Sequence, residues 1–186
     1  MDADLPKGFS YIPGFISAKE QAELLNLILQ IELHAFQFHG YEGKRRVASF
    51  GYDWSFEKRT LSKGEEIPKE FDWLIERTAN YLNIPKCDFA ELLITEYPVG
   101  AVINWHRDAP PFELIAGISL LTECDFRLRP HDKNIQGRKF IRTLEIAPRS
   151  LYVIKDEARN EWEHSTKAVE RKRYSITLRT MRKSFE

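Results

Sequence analysis

Apolar residues follow a helical period in the first part of this chain and a strand-like period in the rest. Apolar positions recur at helical spacing within residues 22–31, and Ser17-Ala18-Lys19-Glu20 just before them forms a capping box. These features predict a helix over about 18–33. A second helix is predicted to begin at Pro68, because apolar positions within 71–82 lie on one helical face.

A β-hairpin is predicted between the two helices. The segment Gly40-Tyr41-Glu42-Gly43 is typical of a turn, and residues 46–52 read as an extended segment. Residues 60–67 are polar and predict a loop.

Short strands are predicted from about residue 90 onwards, where brief apolar segments alternate with turn residues. Many short strands at this spacing are typical of a β-sandwich or jelly roll. We therefore expect one α+β domain, in which two N-terminal helices pack on a C-terminal jelly roll. The predicted strands are 90–97, 101–106, 114–121, 125–130, 139–146, 150–155 and 172–180.

Composition narrows the class of protein. Of the 186 residues, 42% are hydrophobic and 30% are charged, which is typical of a globular domain and not of a disordered one. No apolar run approaches the ~20 residues that span a bilayer, and the N-terminus lacks the basic and apolar regions of a signal peptide. Cys87 and Cys124 are isolated, which favours free thiols in a reducing compartment. We therefore expect a cytoplasmic protein without membrane association.

Charge is divided unevenly, although the net charge is zero. Residues 1–100 carry 11 basic and 16 acidic side chains, whereas residues 101–186 carry 17 and 12. The basic half contains the candidate chemistry described next. Such a balance suits an anionic cosubstrate or a polyanionic substrate, but it is too weak to indicate nucleic-acid binding by itself.

Three potential metal ligands, His106, Asp108 and His164, point to chemistry. In a strand or at its end, the first two lie two residues apart and face the same side, so both can hold one ion. Two imidazoles and one carboxylate can occupy one face of an Fe(II) octahedron, which leaves three positions for a cosubstrate, oxygen and water. A catalytic Zn²⁺ site is the alternative metal. His39 or His131 could replace His164 in the set.

Two arginines follow the second histidine. In a strand, Arg173, Ser175, Thr177 and Arg179 share one face, and at ~3.3 Å per residue the two arginines lie roughly 20 Å apart. Their side chains, extended towards each other, leave room for one small dicarboxylate, which a guanidinium binds through two parallel hydrogen bonds. The order His-x-Asp, His, Arg favours a 2-oxoglutarate-dependent oxygenase. A solvated basic strand is the alternative.

The chain resembles the AlkB family of Fe(II)/2-oxoglutarate-dependent dioxygenases over roughly residues 8–182, most strongly over 92–182. The joint occurrence of several segments in this order makes the resemblance specific. It implies a double-stranded β-helix, or jelly roll, with N-terminal helices and a substrate-lid hairpin. The segments that carry it are Ile94–Gly100, His106-Arg107-Asp108, Arg149–Val153, Glu157–Ser165 and Arg173–Arg179.

The resemblance also assigns roles to residues. It implies that His106, Asp108 and His164 bind the catalytic iron and that Arg173 pairs with the distal C5 carboxylate of 2-oxoglutarate. It places Arg179 near the C1 carboxylate and gives Tyr97 a hydrogen bond to the cosubstrate. Thr95 stands where the family usually has asparagine, and its hydroxyl could keep one hydrogen bond.

Substrate contacts are predicted in the hairpin, which resembles the family's nucleotide-recognition lid. Its aromatic residues could stack on a flipped base and its basic residues could bind phosphate, although packing on the core explains the aromatics equally well. The hairpin residues are His39, Tyr41, Lys44, Arg45, Arg46, Phe50, Tyr52 and Trp54, of which we expect Tyr41, Arg46, Tyr52 and Trp54 to bind substrate. A second basic turn could add phosphate contacts or be a solvated edge: Arg127, Arg129, Lys133, Arg138, Lys139 and Arg142.

One departure from the family bears on substrate. Many of its nucleic-acid demethylases carry acidic residues directly after His-x-Asp, which contact the exocyclic amine of a methylated base. Here the chain continues Ala109-Pro110-Pro111, and Glu113 is the nearest carboxylate that could substitute.

The sequence therefore predicts a single AlkB-like domain over residues 1–186, with helices and lid over about 8–88 and the jelly roll over about 89–182. The expected cofactors are Fe(II) and 2-oxoglutarate, the latter as cosubstrate. The expected activity is oxidative demethylation of alkylated DNA or RNA with release of formaldehyde, as in DNA repair, by a monomer. A protein or small-molecule hydroxylase is the alternative enzyme. A non-catalytic nucleic-acid-binding domain is the alternative from another class.

Overall fold

The computed structural model describes residues 5–38 and 41–185, with only the backbone of residues 37, 38, 41 and 42. Within these residues the helices are α1 (Ala18–Ile28), α2 (Asp72–Leu82) and α3 (Asp156–Asn160). The strands are β1 (Phe9–Ile12), β2 (His34–Phe38), β3 (Tyr41–Ser55), β4 (Thr60–Lys63), β5 (Phe89–Tyr97), β6 (Ile103–His106), β7 (Phe112–Leu120), β8 (Cys124–Pro130), β9 (Arg142–Ile146), β10 (Ser150–Ile154), β11 (Trp162–Thr166) and β12 (Arg173–Met181). Short 3-10 turns span Lys69–Phe71, Lys86–Asp88, Lys133–Ile135, Arg138–Phe140 and Lys183–Phe185.

The strands form two antiparallel sheets. The larger sheet has the order β1-β10-β7-β12-β5-β3-β2, with β4 added to β3. The smaller sheet has the order β6-β11-β8-β9. Strands distant in sequence are neighbours in both sheets, as expected for a jelly roll, so the predicted α+β double-stranded β-helix is the observed fold.

Helices α1 and α2 cover one face of the larger sheet. The predicted capping box begins α1: Glu20 N donates to Ser17 Oγ, and Ser17 N donates to the Glu20 carboxylate. The apolar faces of both helices pack on fully buried strand residues such as Leu92 and Ile176. Helix α1 ends at Ile28, earlier than predicted, because the chain turns there to reach β2.

A second core fills the space between the two sheets. It joins Tyr97, Ile115 and Tyr152 of the larger sheet to Phe126 and Leu128 of the smaller one. The candidate site lies against this core, on the face of the larger sheet opposite the helices. No helix within the described residues is long and apolar enough to cross a membrane.

The predicted strands correspond to β5–β10 and β12, with shifted ends. The predicted hairpin is formed by β2 and β3, which pair antiparallel, but β3 already begins at Tyr41, within the segment predicted as the turn. The sequence analysis missed β1 and β11, and it was wrong about the start of the predicted 60–67 loop, where β4 pairs with the end of β3. Backbone hydrogen bonds with a neighbouring strand form β4, whose side chains are mostly exposed. An edge strand of this kind leaves no alternating apolar pattern in the sequence.

Candidate active site

Neighbouring strands of the smaller sheet bring His106 and His164 together. His164 on β11 lies directly opposite His106 at the end of β6, and the ring centroids are 4.2 Å apart. Asp108 follows two residues after His106, and its Oδ2 lies 3.6 Å from His164 Nε2. One ligand atom from each of the three residues lies within 4.8 Å of the others, close enough for all three to bind one ion.

The protonation states of this triad suit a cation. Burial alone would raise the pKa of Asp108, but the charges of Arg179 and then His164 hold it well below its usual value. Burial and the neighbouring His106 lower the pKa of His164 to about 3, and burial also lowers the pKa of His106. Metal ligands must be an ionised carboxylate and neutral imidazoles, and these pKa shifts favour those forms.

Free ligand atoms face the centre of the triad. Asp108 Oδ2 is buried without a hydrogen-bond partner, which is costly for a carboxylate oxygen unless a cation takes the place of a donor. His106 Nδ1 lies 2.9 Å from the Asn104 carbonyl oxygen, which leaves Nε2 for an ion. Two imidazole nitrogens and one carboxylate oxygen are a donor set that fits Fe(II).

A buried arginine supports the loop that carries Asp108. The Arg159 guanidinium, from α3, donates to the carbonyl oxygens of Asp108, Ala109 and Phe112 at 2.8–3.2 Å. Arg159 is only 4% exposed. These bonds fix the backbone on the C-terminal side of the triad, a role that the sequence analysis did not assign.

The predicted cosubstrate residues lie side by side on β5 and β12. Tyr97 pairs with Arg173 across the strands, and Thr95 pairs with Ser175. The Arg173 guanidinium carbon is 4.7 Å from the centre of the Tyr97 ring, and Tyr97 Oη is 3.3 Å from Ser175 Oγ. The structure therefore groups Tyr97, Thr95 and Arg173 on the face that leads to the triad.

Arg173 is buried without a protein carboxylate. It is 2% exposed and its Nε donates to Ser119 Oγ at 3.2 Å, but no carboxylate of the described chain lies within ion-pair distance. An unpaired buried cation is costly, so an anionic ligand is the expected partner.

Arg179 has two carboxylate partners. Its Nη1 donates to Glu91 Oε2 at 2.6 Å, and its Nη2 donates to Asp108 Oδ1 at 2.7 Å. Arg179 therefore contacts the triad directly through Asp108. Only Nε remains without a partner, so the guanidinium has little capacity left for the C1 carboxylate of a cosubstrate.

Tyr152 on β10 lies beside the candidate cosubstrate residues and was not predicted as a functional residue. It lies over Gly117, where an added Cβ would come within 2.1 Å of the Tyr152 ring. Burial raises its pKa, and the charges of Tyr97, Arg173 and Asp108 also act on it, so the phenol lies among the candidate cosubstrate residues. The pairing of Tyr152 with Gly117 follows from the register of β10 and β7, which no local pattern in the sequence encodes.

Adjacent arginines of β3 point in opposite directions. Arg46 donates to the Leu33 carbonyl oxygen at 2.8 Å and lies 3.8 Å from Glu96, on the helix face of the sheet. Arg45 faces the triad and stacks on Phe36 of β2, with its guanidinium carbon 4.3 Å from the ring centre. Burial lowers the pKa of Arg45, whereas Tyr97 and Asp108 oppose that shift. The structure therefore brings Arg45 to the site and not the predicted Arg46.

The other predicted lid residues are less closely tied to the triad. Trp54 packs on the core between the sheets, and Tyr52 is 37% exposed on the same strand. The side chain of Tyr41 and all of His39 lie outside the described residues. His131 bonds to Glu163 Oε1 at 3.0 Å, away from the triad, so it does not replace His164.

The carboxylate proposed as a substitute after Asp108 has another partner. Glu113, on β7, pairs with Arg182 at 2.9 Å and is 42% exposed. Asp108 and Glu91 are both bound by Arg179. Glu113 is therefore not available for the acidic contact that many nucleic-acid demethylases of the family use.

Two residues of the second predicted basic region, Arg127 and Arg129, lie on the outer face of the smaller sheet, because their neighbours Phe126 and Leu128 face the core. Trp105 carries the guanidinium groups of Arg127 and Arg129 on its ring, at 4.9 and 4.4 Å from the centre. Arg129 also pairs with Glu163 at 2.7 Å. Trp105 thus supports this outer surface, whereas Trp162 packs on the core between the sheets.

A comparison with protein families matches residues 8–184 to the sequence model described as the 2OG-Fe(II) oxygenase superfamily. The chain belongs to this superfamily. Its members use Fe(II) and 2-oxoglutarate, which confirms the predicted cofactors. The match extends through both sheets and includes every residue of the triad.

Two related sequences also match. An Arabidopsis thaliana protein named "Alkylated DNA repair protein ALKBH8 homolog" is 25% identical over 208 residues, covering 94% of this chain. An uncharacterized protein, L905, of Acanthamoeba polyphaga mimivirus is 30% identical over 162 residues, covering 84% of this chain and 71% of that protein. The first similarity supports the predicted AlkB-family membership, although the oxygenase spans only 58% of the length of the Arabidopsis protein.

Solved structures confirm the fold. OsALKBH1 superposes with a TM-score of 0.76 at 13% identity and covers 96% of this oxygenase and 99% of that chain. A Trichoplax adhaerens prolyl hydroxylase gives 0.68 at 15% identity, covering 96% and 85%. A Pseudomonas putida prolyl-4-hydroxylase gives 0.63 at 17% identity, covering 95% and 93%. AlkB-type proteins and prolyl hydroxylases thus share this double-stranded β-helix.

Proposed function

We propose that this oxygenase removes N-methyl groups from alkylated bases in DNA or RNA and releases them as formaldehyde. The observation that carries the proposal is the lid formed by β2 and β3, which holds the cationic Arg45 on the aromatic ring of Phe36 at the triad. Aromatic and cationic side chains together suit a base and its phosphate. Similarity to the Arabidopsis thaliana protein named as an alkylated DNA repair protein supports the same proposal.

His106, Asp108 and His164 would hold the metal in this reaction. Arg173 would bind the distal carboxylate of 2-oxoglutarate, with Tyr97 and Tyr152 beside it. When bound, Fe(II) and 2-oxoglutarate supply oxidation of a C–H bond by O₂, with conversion of 2-oxoglutarate to succinate and CO₂. A hydroxylated N-methyl group then breaks down to formaldehyde and the free amine.

The protein contributes position and solvent exclusion. Arg159 fixes the backbone after the metal carboxylate, while Arg179 fixes one oxygen of that carboxylate and leaves the other for the ion. The core between the sheets shields the inner side of the site. The lid strand β3 brings Arg45 close to Tyr97 and Asp108, on the side where we expect substrate to enter.

A protein or small-molecule hydroxylase is the second candidate. The segment Ala109-Pro110-Pro111 favours it, because no acidic residue directly follows Asp108 and the nearest carboxylate in sequence, Glu113, pairs with Arg182. Prolyl hydroxylases with the same fold show that the scaffold accepts protein chemistry in those enzymes. The lid residues favour the nucleic-acid reaction.

A formaldehyde-release screen decides between these candidates. Purified protein with Fe(II) and 2-oxoglutarate is offered methylated single- and double-stranded DNA and RNA, with His106→Ala as the inactive control. Formaldehyde in proportion to succinate is the expected result for at least one methylated substrate. Stimulated succinate release by a peptide or metabolite, without formaldehyde from any oligonucleotide, would establish the hydroxylase instead.

A further inference from the structure

Glu91 is a buried carboxylate that the proposed chemistry leaves without a role. It lies on β5 with 2% exposure, opposite Arg179 of β12 and Gly51 of β3. Its Oε2 accepts from Arg179 Nη1 at 2.6 Å, and its Oε1 accepts from Ser49 Oγ at 3.0 Å. Both oxygens of a buried acid are thus directed at specific partners from the two flanking strands.

These bonds continue to the triad. Arg179 uses its second terminal nitrogen to bind Asp108 Oδ1 at 2.7 Å, and Asp108 Oδ2 is the oxygen left free beside His164. A guanidinium is planar, so fixing one terminal nitrogen on Glu91 also fixes the direction of the other. The orientation of the free Asp108 oxygen is therefore set from Glu91.

Charge gives Glu91 a second effect on the same atom. A lone guanidinium beside Asp108 would reduce the attraction of that carboxylate for a cation. Glu91 offsets the charge of Arg179, so the negative charge of Asp108 remains available to a divalent ion.

The lid strand is built to make this contact. Gly51 has a φ of +85°, and a Cβ there would come within 2.2 Å of the Ala90 carbonyl oxygen. This close approach of β3 to β5 lets Ser49 reach Glu91. The Ser49–Glu91–Arg179–Asp108 chain therefore joins the lid strand to the metal-facing carboxylate.

We propose that Glu91 is a positioning residue for the metal site, which acts on Asp108 through Arg179. The proposal rests on the proposed function in one respect, namely that Asp108 is a metal ligand. Removing the charge or the length of Glu91 should weaken metal binding before any cosubstrate or substrate is present. Partners that orient and tune a ligand in this way typically change metal affinity by about 10–100-fold.

Co(II) titration of the metal-free protein, followed by absorption and calorimetry, tests this directly. Glu91→Gln keeps the shape and one acceptor but loses the charge, and we expect Co(II) affinity to fall at least tenfold with an altered ligand-field spectrum. Glu96→Gln is the matched control: Glu96 is a buried acid on the opposite face of the same strand, bonded to Tyr174 and Lys172. The Co(II) affinity of the Glu96→Gln variant should stay within about twofold of the wild-type value, because Glu96 does not contact the metal ligands or their partners.

Thermal unfolding separates loss of fold from loss of the site. If Glu91→Gln does not fold, Glu91→Asp, which keeps the charge but withdraws it by one methylene, takes its place with an expected loss of at least about threefold, because the bond to Arg179 is broken. A folded Glu91 variant that binds Co(II) as tightly as wild type, with an unchanged spectrum, overturns the proposal. Wild-type protein that binds no divalent cation overturns the metal site itself and the role of Glu91 with it.

Discussion

Arg173 and Arg179 share one face of β12, and both guanidinium groups are largely buried, yet their partners differ. Arg179 lies between two protein carboxylates, at 2.6 Å from Glu91 and 2.7 Å from Asp108. Arg173 has a serine hydroxyl and a tyrosine ring for neighbours and no carboxylate within the described structure. The protein satisfies one cation internally and leaves the other for a ligand.

This difference separates two uses of the same side chain. A buried arginine paired with two acids is part of the scaffold, because removing it leaves uncompensated negative charge. A buried arginine without an acid is a receptor that is incomplete until an anion binds. The sequence alone treats the two arginines as equivalent ends of one dicarboxylate site.

The largest predicted effect is on folding. Arg179→Met should lower the free energy of unfolding by about 3–5 kcal/mol, because Glu91 and Asp108 lose their shared cation. Chemical denaturation of the metal-free protein measures this. A loss below about 1 kcal/mol, typical of an exposed pair, would show that Arg179 is not the structural member of the two.

The same change at Arg173 should affect binding and not folding. Arg173→Met should weaken 2-oxoglutarate binding about 100-fold, because a buried carboxylate loses a charged partner. The free energy of unfolding of the ligand-free protein should change by less than about 1 kcal/mol, since no protein carboxylate is orphaned. Arg171→Met is the control, because Arg171 is 66% exposed on a surface pair with Glu123.

A smaller effect is expected from the adjacent arginines of the lid. Arg45→Gln should raise the KM for the accepted substrate about tenfold at unchanged 2-oxoglutarate affinity, because Arg45 faces the triad. Arg46→Gln should leave KM within about twofold, because Arg46 contacts Leu33 and Glu96 on the face of the sheet opposite the triad. If steady-state kinetics show a larger rise in KM for Arg46→Gln than for Arg45→Gln, Arg46 is the substrate-binding residue, as predicted from the sequence.

The smallest effect concerns an exposed pair of the same chemistry. Arg77 binds the Glu20 carboxylate through two hydrogen bonds of 2.6 and 3.0 Å, and these bonds, with the cap at Ser17, lower the pKa of Glu20 to about 2. The unfolded chain takes up this proton near pH 4.5, so the stabilisation is complete above that pH and is lost as pH falls towards 2.

Glu20→Gln should therefore lower the free energy of unfolding by about 1 kcal/mol at pH 7. This loss should shrink towards zero as the pH falls to 2, where Glu20 itself becomes protonated. Denaturation curves at several pH values measure the difference. Glu23→Gln is the control, because Glu23 lies 3.9 Å from Lys19, farther than Glu20 lies from Arg77. Its effect on the free energy of unfolding should not change with pH. A constant cost across this range would mean that the charge of Glu20 does not contribute.

Local signals in the sequence were sufficient for much of the fold. The capping box predicted the start of α1, and the alternation of apolar segments with turn residues predicted most strands of the jelly roll. The start of the second helix, predicted at Pro68, was wrong: a 3-10 turn occupies Lys69–Phe71 and α2 begins at Asp72. The triad was proposed from His-x-Asp and one distant histidine, and the structure brings these residues together. Such features depend on neighbours in sequence or on a specific chemical set.

The rest depends on pairing between distant segments. Glu91, Tyr152 and Arg159 reach the site through strand register and loop packing, which no local pattern encodes. Whether Arg45 or Arg46 points towards the triad depends on the register in which β3 pairs with β5. A shift of one residue in that register would exchange the two side chains between the faces of the sheet.

Comparing two ligands that differ only in the distal carboxylate tests the central claim most directly. In anaerobic calorimetry with Fe(II), wild-type protein should bind 2-oxoglutarate about 100-fold more tightly than 2-oxopentanoate, which has a methyl group in place of that carboxylate. In Arg173→Met this preference should fall below about threefold, because the charged partner is gone. A preference that persists in Arg173→Met would contradict the assignment of Arg173 as the receptor for the cosubstrate.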